Sequence, residues 1–118
     1  MYLKEVVKLL DAKVLTKDSD PELELNSAFS SDMMSHVLAY SNDKSILITA
    51  LYNPQVLRTA DLMGISCVIF IGRNEPAPAL IKLAESLDIT IIQSPYSMYV
   101  TCGILFSNGL KGTFVDEQ

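Results

Sequence analysis

Three apolar runs, each broken by a polar corner with a proline, constrain this chain most. "SILITAL" (45–51) breaks at Tyr52-Asn53-Pro54, "SCVIFI" (66–71) at "GRNEPAP", and "DITII" (88–92) at "QSPYS". Runs this short and rich in β-branched residues suit strands, and a continuous apolar run suits one covered on both faces. Helical spacing follows each corner: Val56, Leu57, Ala60 and Met63, then Leu80, Ile81, Ala84 and Leu87, then the stretch 94–107. Pro54 and Pro95 fit the first turn of a helix, where a missing N–H costs nothing. Gly64 fits the left-handed exit of the helix before it. Strand and helix alternating three times predict βαβ units, right-handed crossovers and a mainly parallel sheet.

The first third of the chain is less regular. Leu3, Val6, Val7 and Leu10 recur at i, i+3, i+4 and i+7, which predicts an amphipathic helix over 3–10. A short strand over 12–16, a turn over 17–22 and a second strand over 23–29 should follow, at a sheet edge. Ser31 or Asp32 is placed to cap a helix over 33–40, and Ser94 to cap the last one. The expectation is a small single-domain α/β sandwich. Its mainly parallel sheet is built from consecutive βα units, with an N-terminal helix and short edge strands. Residues 1–106 form that domain, and 107–118 a tail with no period.

Composition removes several function classes. The net charge is −5 with the nine Lys and Arg scattered, whereas binding to nucleic acid needs them clustered. No apolar run approaches a membrane span, and "MYLKEVVKLL" has no signal-peptide core. Cys67 and Cys102 lie in apolar surroundings without neighbouring metal ligands, so free buried thiols in a reducing cytoplasm are expected. No cofactor or metal is implied. His36 is the sole histidine and lies among apolar helical residues. Asp32 with Asp61 or Glu75 is the one conceivable acid–base pair, and no spacing joins them. Neither phosphate-binding glycine pattern occurs.

In open parallel sheets ligands favour the carboxyl ends of the strands. Here those ends carry Thr49, Tyr52 and Asn53, then Gly72, Arg73 and Asn74, then Gln93 and Ser94. Each corner also needs caps and a proline simply to turn, so the repetition has a purely structural explanation as well. If a ligand binds, the helix N-termini and Arg73 favour an anion.

The blocks "FSSDMMSHVLAY", "ILITALYNPQVLRTADLMGISCVIFIGRNEP" and "IIQSPYSMYVTCGIL", in that order, resemble the DRTGG domain family over Leu3 to Leu105. The aspartate of the family's motif corresponds to Asp32. The Thr-Gly-Gly that names the family is replaced by Asn26-Ser27-Ala28 before Phe29. The resemblance implies a small α/β domain related to the N-terminal domain of HPr kinase/phosphorylase. Similar modules occur in phosphotransacetylases and beside CBS domains in pyrophosphatases, and none looks like the catalytic part of its protein. Kinase activity is not expected, because the phosphate loop is missing. A non-catalytic regulatory or interaction module is expected instead, a homodimer or a module docked on a partner enzyme. The exposed apolar candidates for that contact are Tyr2, Met33, Met34, Tyr96 and Tyr99. The alternative is a sensor of a nucleotide or other anionic small molecule, with Asp32 and the strand-end residues as its site.

Overall fold

The computed structural model describes residues 1–113. Its elements, in chain order, are α1 (Leu3–Leu10), β1 (Lys13–Val14), β2 (Ser27–Ser30), α2 (Met34–Tyr40), β3 (Ser45–Thr49), α3 (Pro54–Met63), β4 (Cys67–Ile71), α4 (Pro78–Ser86), β5 (Thr90–Ser94), α5 (Met98–Ser107) and β6 (Lys111–Gly112). They form an α/β sandwich around one sheet in the order β1-β5-β4-β3-β2-β6. β5, β4, β3, β2 and β6 run parallel, and only β1 pairs antiparallel, against β5.

The layering follows from that order. From β2 the chain steps to β3, β4 and β5 always in one direction, so right-handed crossovers put α2, α3 and α4 on the same face. α5 leads from β5 back across the sheet to β6, a step in the reverse direction, and so falls on the opposite face. Burial agrees with this. Val37 of α2, Val56 and Leu57 of α3, and Leu80 and Ala84 of α4 pack on Leu47, Val68, Phe70 and Ile91. Leu3, Val6 and Leu10 of α1 and Leu105 of α5 pack on Ile46, Ile48, Cys67, Ile69 and Ile92. Alternate residues of β3 and β4 thus supply opposite cores, which is why these strands read as unbroken apolar runs.

The corner after β3 forms as the sequence predicts. Asn53 caps α3 by accepting from the Val56 N–H at 3.2 Å, Pro54 opens the helix, and Gly64 ends it at φ 74. Other boundaries differ. Neither Ser31 nor Asp32 caps α2, which begins after Met33. The Ser31 hydroxyl accepts from the Met33 N–H in a tight turn, and Asp32 is drawn to β3. The strand expected over 23–29 starts at Ser27, and Glu24 instead bridges to Tyr2. The strand expected over 88–92 lies two residues later, because Asp88 takes a left-handed turn at φ 56. Ser94 therefore ends β5 rather than capping a helix, and Ser97 caps α5. Beyond 106, Leu110 is buried and Lys111–Gly112 pair with β2. Residues 114–118 of the expected tail lie outside the described residues.

Candidate functional site

The parallel register brings the carboxyl ends of β2, β3, β4 and β5 to one rim. The sequence-derived residues divide there into two groups. The first is built around Asp32. Its Oδ1 accepts from the Thr49 hydroxyl and from the Ala50 N–H, both at 2.8 Å. Thr49 is wholly buried, and its own Oγ1 accepts from the Leu51 N–H. Asp32 thus ties the loop after β2 to the end of β3. Asn26, Ser27 and Ala28 all avoid positive φ, so the chain passes this point without the conformational freedom of the family's glycines. The Ser27 hydroxyl instead meets that of Ser45 at 2.9 Å inside the sheet.

The second group is built around Tyr52. Its ring stacks on Phe70, with centroids 4.6 Å apart. Its hydroxyl donates to the Ile71 carbonyl at 2.8 Å and accepts from Gln93 Nε2 at 3.0 Å. The same Nε2 donates to the Asn74 carbonyl at 2.6 Å. The corners after β3 and β4 are thereby fastened to the end of β5. Both side-chain bonds of the Gln93 amide use its nitrogen, which leaves Oε1 as an uncommitted acceptor among the described residues. Ser94 points to the other face, buried, with its hydroxyl 2.8 Å from that of Thr101 in α5.

Gln93 forms the floor of a shallow cleft of about 410 Å³, lined by Asp11, Lys13, Gly72, Arg73, Gln93 and Pro95. The loop after β4 goes to one face of the sheet and the loop after β5 to the other. Their divergence opens this cleft, as happens where connections in an open sheet change direction. Gly72 takes φ 104 at its edge, a conformation open to glycine. Lys13 was missed by sequence reasoning. It enters from the antiparallel edge strand, where it lies opposite Gln93.

His36 is exposed on α2, edge-on to Tyr40, and Cys67 is sealed beneath the sheet. Burial pushes the Cys67 thiol up to about 12. No grouping of metal-ligating side chains occurs among the described residues, and none of their helices is long and apolar enough to cross a membrane.

The outer surface of α5 is the other unusual feature. Tyr99 is 88% exposed, Phe106 71% and Val100 42%. Gly103 lies between them on the same side, with open space where a Cβ would stand. Of the apolar residues singled out from sequence, Tyr2, Met33, Tyr96 and Tyr99 are exposed, while Met34 packs against the core.

Comparison with known proteins gives one family and one fold. The family model described as "DRTGG domain" matches residues 5–107. No curated protein matches the chain. Among solved structures it is similar to the CBS and DRTGG domains of the regulatory region of Clostridium perfringens pyrophosphatase, determined with the activator diadenosine tetraphosphate. The TM-score is 0.69 at 16% identity, over 97% of this chain and 49% of that one. This chain therefore spans about half the length of the structure it resembles.

Proposed function

Because the chain belongs to the DRTGG domain family, we propose that it is a non-catalytic regulatory module which pairs with a second copy of itself and acts on or beside a metabolic enzyme. The observation that carries this reading is α5. A helix that is apolar all round belongs in an interior. This one is covered by the sheet and by α1, and leaves Tyr99, Val100 and Phe106 in water. No charged residue occurs between Asp88 and Lys111. In a chain of net charge −5, an uncharged face is where a like-charged copy can approach without repulsion.

Two-fold pairing of antiparallel α5 helices about Gly103 brings Tyr99 of one copy against Phe106 of the other. The missing Cβ at Gly103 lets the helices approach closely. Such an interface is the same patch used twice, as a symmetric dimer requires. Sedimentation velocity at micromolar concentration should give a dimer, and Phe106→Glu a folded monomer. A strictly monomeric wild-type chain rejects the pairing. The two free cysteines fit a reducing cytoplasm as the place of action.

A second reading, a sensor of an anionic small molecule, is favoured by the cleft at the ends of β4 and β5. The neighbouring pyrophosphatase region, whose structure holds a nucleotide activator, offers a precedent for ligand control beside a module of this fold.

A further inference from the structure

We infer that the cleft between Lys13 and Arg73 binds a hydroxyl-bearing phosphate monoester, such as a sugar phosphate or nucleoside monophosphate. This deepens the second reading above and rests on it, and it does not depend on the pairing of α5.

Three features converge on that chemistry. Two cations stand on either side of the end of β5. Lys13 lies opposite Gln93 in the antiparallel pair, and Arg73 follows directly after Gly72, just beyond the Ile71–Ser94 pair of β4 and β5. Both residues are exposed, and neither side-chain cation meets a carboxylate or a hydrogen-bond acceptor among the described residues. With strands roughly 4.8 Å apart, cations on the two strands flanking β5 bracket a space about 10 Å wide, which long flexible side chains can close around one phosphate.

Gln93 and Asp11, which also line the cleft, carry side-chain acceptor oxygens. Gln93 Oε1 is left over because the amide nitrogen is held by both the Tyr52 hydroxyl and the Asn74 carbonyl. Asp11 contributes a carboxylate from the left-handed residue that closes α1. Inorganic phosphate at neutral pH offers few donors to these two acceptors. A phosphate ester carrying several hydroxyls satisfies them, while its charged end is held by Lys13 and Arg73. Cations on both flanks with hydroxyl-accepting groups between and beside them therefore select the ester over the free ion. Pro95 supplies an apolar surface for the carbon skeleton.

The site lies where the connections of the sheet diverge, so occupancy has a direct route into the fold. The loop carrying Arg73 is tied through Asn74 and Gln93 to Tyr52 and hence to α3. The strand carrying Gln93 continues through Ser94 into α5, whose Thr101 it holds. A ligand clamped between Lys13 and Arg73 stiffens both paths.

The test uses the full chain and calorimetric titration with ribose 5-phosphate, glycerol 3-phosphate and adenosine monophosphate, with ribose and inorganic phosphate as controls. The esters should bind, and the two controls more weakly by at least about tenfold. Arg73→Ala and Lys13→Ala should each weaken ester binding by at least about tenfold, and Asp11→Asn should narrow the preference for ester over free phosphate. Lys111→Ala, at the far edge of the sheet, should change nothing. Three results overturn the inference: no ester binding up to about 10 mM, binding untouched by both Arg73→Ala and Lys13→Ala, or free phosphate binding as tightly as the esters. Sedimentation of the Arg73, Lys13 and Asp11 variants separates this from the pairing on α5, since these three cleft residues lie outside that helix and their substitution should leave the dimer intact.

Discussion

At the scale of single residues, the rim is held by polar side chains bonded to backbone and hydroxyl groups. Asp32 is exposed, yet its carboxylate takes both the Thr49 hydroxyl and the Ala50 N–H. Replacing it with Ala should cost about 1–3 kcal/mol in urea denaturation, since two bonds to a charged acceptor vanish and a buried threonine hydroxyl is stranded. Asp32→Asn keeps an acceptor oxygen and should lose less. The same reasoning makes Ser94 and Thr101 a coupled pair, because both are buried and their hydroxyls meet at 2.8 Å. Ser94→Ala alone should destabilise by about 1–3 kcal/mol, and adding Thr101→Val should recover part of that loss, because no lone hydroxyl then remains in the interior. Cys67 yields a pH prediction. Its thiol is raised by burial from 9.0 to about 12, so the unfolded chain releases that proton first. Stability assisted by the neutral thiol is complete below pH 9.0 and declines as pH rises toward about 12. The decline is at most about 1.4 kcal/mol per pH unit, and subtracting the curve for Cys67→Ala isolates it. Iodoacetamide should label Cys67 only after unfolding.

At the scale of elements, legibility depended on whether a signal was local. The corner after β3 could be read outright, because the Asn53 cap, Pro54 and Gly64 act within their own helix. The end of β5 could not. Gln93 and Ser94 look like loop residues because they are polar, but their polar groups are satisfied by Tyr52, Asn74 and Thr101 from other elements, and so the strand continues through them. The same long-range supply took Asp32 from its expected role as a cap and gave it to β3. Lys13 was beyond sequence reasoning for a related reason. Only the pairing of a two-residue edge strand with β5, 80 positions further along the chain, brings it opposite Gln93. On α5 the sequence pointed to Tyr99 but not to Phe106, whose exposure depends on which side of an evenly apolar helix meets the sheet.

At the scale of the whole molecule, sheet order explains why the two proposed surfaces are separate. The cleft opens at the rim where β4 and β5 send their helices to opposite faces, whereas the bare side of α5 looks away from the sheet. Pairing through α5 therefore leaves the cleft open to a ligand. Among the described residues, the sheet ends on both flanks in strands only two residues long, β1 and β6. Chains that join by extending one another's sheets need a longer run of free backbone groups than this. Growth into fibres by stacking strand on strand is thereby blunted at both flanks, and lasting attachment falls to side chains.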